Sequence, residues 1–118
     1  LYTPDEVRAI ADYAHAHGMA LHLDGARVWN AAAALGTSLR AFTVDAGVDI
    51  LSLGGTKNGL LGAEAIVVLN PGRVEGLVYL RKMYMQLASK MRFLSAQLLT
   101  LFEGELGIRS ARHANAMA

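Results

Sequence analysis

The sequence predicts an α/β fold with buried, mostly parallel strands and flanking helices, and three observations carry that expectation. Residues 19–23, 49–53 and 65–69 are short apolar runs bounded by turn residues. Helix-favouring sequence separates the first two runs, which is the strand–helix–strand order of parallel pairing. Hydrophobic residues make up 53% of the 118 and charged residues only 18%. That excess implies surface covered by further chain or by a partner subunit.

Each element has a local reason. Thr3-Pro4-Asp5-Glu6 combines a threonine N-cap, a proline at the first helical position and a glutamate that closes a capping box. Val7, Ile10, Ala11 and Ala14 then recur at helical spacing, and Gly18 stops the helix. Residues 19–23 read as a buried strand ending before Asp24. Residues 28–35 are alanine-rich and end at Gly36, so a helix is expected. Ser38 is placed to cap a short helix through Ala46. Residues 49–53 form the second strand and 65–69 the third, closed by Asn70-Pro71-Gly72. The link between them shows no helical pattern, which leaves the third strand free to run antiparallel. Residues 73–87 and 90–106 are helical by composition, and Gly107 divides the latter from a final helix near Ser110.

Composition excludes several classes of function. Net charge is +1 with no run of like charges, so nothing points to nucleic acid. No apolar stretch approaches the ~20 residues of a membrane helix. The absence of cysteine rules out a disulfide scaffold and a thiolate metal site, and no metal is expected. The first residues read as a capped helix and not as a signal peptide, so a cytoplasmic protein is expected. Leu1 is not an initiator methionine, and residues 113–118 stop inside helical sequence without a cap. The chain is therefore expected to be a fragment of a larger polypeptide.

The chemistry resides in two segments, Leu21-His22-Leu23-Asp24-Gly25-Ala26-Arg27 and Leu53-Gly54-Gly55-Thr56-Lys57-Asn58-Gly59. In open α/β sheets ligands collect beyond the carboxyl ends of the strands. Asp24 follows the first strand, and Lys57 lies in a glycine-rich turn after the second. An acid and an amine held there suit pyridoxal phosphate: the amine forms a Schiff base and the acid keeps the pyridine nitrogen protonated. Arg27 is near enough to join them, Thr56 adds a hydroxyl, and Gly54-Gly55 lets backbone approach a ligand closely. Taken singly, each residue has a plainer account. A lone Asp after a strand is usually a turn former, and a lysine in a glycine turn is usually solvated. Gly54-Gly55-Thr56-Lys57 also lacks the spacing of a phosphate-binding P-loop.

The two segments together, with Asn30-Ala31 after the first, resemble the low-specificity L-threonine aldolases. These belong to the β-eliminating lyase group of aspartate-aminotransferase-like, fold-type I pyridoxal phosphate enzymes. The resemblance covers nearly the whole chain. It implies that residues 1–109 are part of the large cofactor-binding domain and that 110–118 begin the helix leading to a small C-terminal domain. It implies cleavage of L-threonine and related β-hydroxy-α-amino acids to glycine and an aldehyde, in a homodimer or homotetramer. Lys57 matches the lysine that carries pyridoxal 5'-phosphate, Asp24 the carboxylate on the pyridine nitrogen, and Arg27 the arginine near the ring oxygen. Thr56 stands beside the lysine. Lys82 and Arg92 match basic segments that reach the active site or phosphate region. The lysine and aspartate are shared with aminotransferases and β-eliminating lyases, which stay open as alternatives, as does a fragment that acts only by association.

The remaining polar residues read as structural. His22 is expected to pack in the core, and His15 and His17 to sit at a helix end where the dipole favours cations. Arg73, Lys90 and Arg109 read as solvated charge, and His113 as incidental in a terminal helix. Met83, Tyr84, Met85 and Met91 read as packing or oligomer surface. Glu64 has the option of orienting the lysine loop, although a plain loop carboxylate is the expected account.

Overall fold

A computed structural model describes residues 1–118. Helix α1 spans Pro4–Ala16, and its capping box forms as the sequence predicts: Glu6 N–H donates to Thr3 Oγ1, and Thr3 N–H donates to Glu6 Oε2 at 2.7 Å. Then come β1 (His22–Gly25), α2 (Val28–Leu35), α3 (Leu39–Phe42), β2 (Ile50–Gly54) and β3 (Glu64–Val68). Three helices close the chain: α4 (Leu77–Met83), α5 (Arg92–Phe102) and α6 (Leu106–Met117). One-turn 3-10 segments lie at Thr56–Asn58, Pro71–Arg73 and Glu103–Glu105.

The sheet has the order β1-β2-β3. Strands β1 and β2 are parallel, with His22 opposite Ile50 and Asp24 opposite Ser52. Strand β3 runs antiparallel to β2, with Gly54 opposite Glu64. The α/β class stands, but one of the two pairings is antiparallel and the sheet is mixed, not mostly parallel. The reason is the link from 54 to 64, too short for the crossover a parallel return requires.

Side chains alternate across a strand, so one sheet face carries Leu51 and Leu53, both buried, and the helices pack there. Val7 of α1, Val28 and Trp29 of α2, Phe42 of α3, Leu101 of α5 and Ala111 of α6 join those leucines in one core. The opposite face carries His22, Asp24, Ser52, Glu64, Ile66 and Val68, and Ile66 is 63% exposed. The apolar excess of the composition is therefore on view: one face of the sheet lacks a covering layer.

Several boundaries differ from expectation. Strand β1 begins at His22 and not at Met19, because Leu21 N–H is taken by the Asp49 carboxylate while its carbonyl accepts from Asp49 N–H and Ile50 N–H. Ser38 does cap α3, accepting from Ala41 N–H, but the helix ends at Phe42 where Thr43 leaves helical geometry. The long helices expected over 73–87 and 90–106 shorten to α4 and α5. Residues 79–90 are all exposed and α4 itself buries no side chain, so this stretch has little beyond propensity with which to extend its helices. Met85 and Lys90 take left-handed conformations between the two.

The final helix begins at Leu106, four residues before the expected start, because the break is made at Gly104 and Glu105, which have φ of 57° and 59°. Gly107 is not a divider. It lies in the first turn of α6 against Trp29, where an added Cβ would come within 2.7 Å of the indole ring.

Candidate active site

Parallel pairing of β1 and β2 brings their carboxyl ends to the same edge of the sheet. Asp24 stands near the end of β1, exposed, with Oδ1 accepting from Ala26 N–H at 3.1 Å. Two residues past the end of β2, Thr56-Lys57-Asn58 form a single 3-10 turn closed by Gly59 at φ 99°. Lys57 and Thr56 are exposed on that turn. Arg27, also exposed, is the residue from which α2 starts. Asp24 and Arg27 line one open cleft of about 870 Å³ with Leu23, Ala26, Asn30 and Arg112, and Lys57 lies outside its lining.

The lysine turn is held by its neighbours more than by itself. Glu64, at the start of β3, accepts from Thr56 N–H at 3.1 Å. The buried Asn58 side chain donates to the Gly107 carbonyl at 2.9 Å, tying the turn to α6. Trp29 of α2 donates its indole N–H to the Gly54 carbonyl at 3.0 Å. Within the turn, Asn58 and Leu60 N–H both donate to Gly55 O.

The Gly54-Gly55 pair has a use within the chain itself. A Cβ on Gly54 would collide with the Ala26 carbonyl, and one on Gly55 with the Ala63 carbonyl. These glycines let the lysine turn press against the loop after β1 and the start of β3. That contact fixes the spacing between the Asp24 and Lys57 loops.

Lys82 and Arg92 are not gathered with the others. Lys82 is exposed in the last turn of α4 and makes no polar contact with Asp24, Arg27 or Lys57. Arg92 begins α5 and lies over the Phe93 ring, 4.9 Å from its centroid. Lys82 belongs to the exposed stretch 79–90, whereas Arg92 is exposed at the start of α5, whose Leu101 packs in the core.

Other residues depart from the plain readings given to them. His22 is exposed, not packed in the core, and its Nε2 is 2.8 Å from Ser52 Oγ across the strand pair. His15 and Arg73 are not merely a helix end and a solvated charge, because both face Asp49. His15 Nε2 is 2.8 Å from Asp49 Oδ2, and Arg73 Nε is 3.8 Å from Oδ1. Burial alone would push the Asp49 carboxyl up. Hydrogen bonds from Leu21 N–H, His15 and Asn70, with attraction to His15, hold it below the ordinary value. Glu64 is the first residue of a strand and not a plain loop carboxylate.

Two couplings missed in the sequence, Trp29–Gly54 and Asn58–Gly107, join residues 25 and 49 positions apart, whereas the Glu64 bond to Thr56 takes up the orienting option the sequence offered. No local pattern announces such pairs. The exception with a signal is Asn58, an amide beside the lysine in an otherwise glycine-rich turn.

No helix is long and apolar enough to cross a membrane. The beta-eliminating lyase family matches along residues 1–118. The chain is 47% identical over 115 residues to a low-specificity L-threonine aldolase of a Pseudomonas species, covering 98% of this chain and 33% of that protein. It is 45% identical over 118 residues to the corresponding protein of Pseudomonas aeruginosa, covering all of this chain and 34% of that one. The solved structure of a Leishmania major threonine aldolase superimposes with a TM-score of 0.87 at 29% identity, covering 98% of this chain and 34% of that one. The chain thus spans about one third of the length of the relatives it matches.

Proposed function

The chain belongs to the beta-eliminating lyase family, and from that premise we propose that it is the lysine-bearing part of a pyridoxal phosphate-dependent threonine aldolase. The reaction is cleavage of a β-hydroxy-α-amino acid, L-threonine among them, to glycine and an aldehyde. The observation that carries the reading is the parallel register of β1 and β2. It sends Asp24 and the Lys57 turn beyond one sheet edge, where open α/β sheets receive ligands.

The residues at that edge fit the coenzyme by their chemistry: an exposed carboxylate, an amine on a tethered turn, and a guanidinium sharing the carboxylate's cleft. When bound, pyridoxal phosphate supplies an aldehyde that condenses with amines and a ring that accepts electrons from a bond breaking at the substrate Cα. Asp24 holds a proton on the ring nitrogen by direct Coulomb attraction, which keeps the ring electron-poor. Lys57 would hold the coenzyme through Nζ, the amine with which that aldehyde condenses. Arg27 stabilises negative charge on the ring oxygen. Thr56 fixes the turn through its backbone N–H.

Lys82 and Arg92 enter the reading as side chains supplied from the exposed α4–α5 stretch to the phosphate region, across a boundary between copies. The same stretch leaves Tyr79, Met83, Tyr84, Met85 and Phe93 each more than 60% exposed, which supports a homodimer or homotetramer. Residues 1–109 as large domain, 110–118 as the exit toward a small domain, and a cytoplasmic location complete the proposal. Its support there is the family alone.

The test uses the full-length protein carrying this chain. Incubation with pyridoxal phosphate and then borohydride is expected to place the reduced coenzyme mass on Lys57. Lys57→Ala is expected to abolish both that mass and the visible absorbance of the bound coenzyme. Labelling of another lysine overturns the assignment. With L-threonine, release of glycine and acetaldehyde supports the aldolase, 2-oxobutyrate with ammonia identifies a β-elimination, and a 3-hydroxy-2-oxo acid formed with an amino acceptor identifies an aminotransferase.

A further inference from the structure

We infer that Glu64 is a positioning residue for Lys57, acting by holding the Thr56 N–H. The inference rests on the reading of Lys57 as the coenzyme-linking residue and adds a group that lies outside the matched motifs. Three tethers reach the lysine turn from three elements: Trp29 from α2, Asn58 toward α6, and Glu64 from β3. The first two are neutral and buried. Glu64 is charged and exposed, and its bond falls on the residue immediately before the lysine.

The geometry follows from the sheet. Glu64 is paired with Gly54 in the antiparallel ladder, so its side chain starts level with the end of β2. By alternation it shares the open face with Asp24 and Ser52. From there Oε1 reaches forward to Thr56, while Oε2 has no protein partner. A 3-10 turn has few internal hydrogen bonds and poorer geometry than an α-helix, so an outside acceptor on its first N–H narrows the positions open to Lys57. A carboxylate suits that task, because hydrogen bonds to ionised acceptors are shorter and stronger than neutral ones.

The experiment compares Glu64→Ala and Glu64→Gln in the full-length protein, with two readouts. The first is hydrogen exchange at the Thr56 amide, measured without coenzyme. The second is the rate at which borohydride-stable coenzyme accumulates on Lys57. Glu64→Ala is expected to speed Thr56 exchange and slow the labelling, each by about fivefold, while α1 amides stay unchanged. Glu64→Gln is expected to restore most of both, since its amide oxygen still accepts.

Unchanged exchange and labelling in Glu64→Ala would overturn the inference. So would faster exchange throughout α1, which would mean Glu64 supports the whole fold, or a Glu64→Gln protein as impaired as Glu64→Ala. Failure of the unaltered protein to label Lys57 would sink the functional reading separately, because Thr56 exchange reports on the turn by itself.

Discussion

Asp49, at the amino end of the sheet just before β2, is 1% exposed, and its carboxylate accepts from Leu21 N–H, His15 and Asn70 with Arg73 nearby. Asp24, at the carboxyl end of β1, is exposed and accepts one short-range bond, from Ala26 N–H. The same residue type does opposite work at the two ends. The buried carboxylate has its oxygens engaged by α1, the start of β1 and the segment after β3, so it locks register and has nothing left to offer a ligand. The exposed one is aimed by a small turn and retains lone pairs for a partner outside the chain. At one end of the sheet the carboxylate is fully engaged by the fold, and at the other it stays available.

That contrast can be broken most forcefully at the open end. Asp24→Ala is expected to lower turnover of the full-length protein by about 1,000-fold, the scale of losing a group that stabilises developing charge. Its denaturant midpoint should stay within about 0.5 kcal/mol of the parent. Near-normal turnover would remove Asp24 from the coenzyme nitrogen, and a large fall in stability would erase the distinction between the two ends.

Asp49→Ala is expected to do the reverse, costing about 3 kcal/mol by leaving buried donors without an acceptor. Urea unfolding followed by tryptophan emission reads this, since Trp29 lies in the core. The same carboxylate sets an acid limit. Its pKa is lower folded than unfolded, so its stabilisation is complete above 3.8 and is lost as pH falls through the lower folded value. Asp49→Asn should flatten stability against pH in that window. A parent-like slope would show that other carboxylates govern acid unfolding.

Gly107→Ala probes the link between the core and the lysine turn, because α6 both packs on Trp29 and receives the Asn58 side chain. The added methyl meets the indole ring, and a loss of about 2 kcal/mol is expected from overpacking. A neutral result would mean that α6 shifts freely over Trp29. The smallest effect belongs to His22→Ala. Its bond to Ser52 is exposed, so stability should change by less than about 0.5 kcal/mol in the same unfolding assay. A larger loss would show that the open face is braced from within.

Local chemistry made the capped start of α1, the Ser38 cap, the central strand and the Asp24 and Lys57 segments legible in the sequence, because each is written in residues a few positions apart. It also made plain an apolar surplus that this chain does not bury. Tertiary structure alone decided what separated residues do to one another. It fixed β3 antiparallel where the sequence left its direction open, turned His15 and Arg73 toward Asp49, pressed Gly54 and Gly55 against neighbouring backbone, and shortened the two long helical stretches to α4 and α5. The physical reason is range. Capping and turn preferences act within about one helical turn and can be read in order, whereas burial and hydrogen-bond completion depend on which distant groups arrive, and that is settled only when the chain closes on itself.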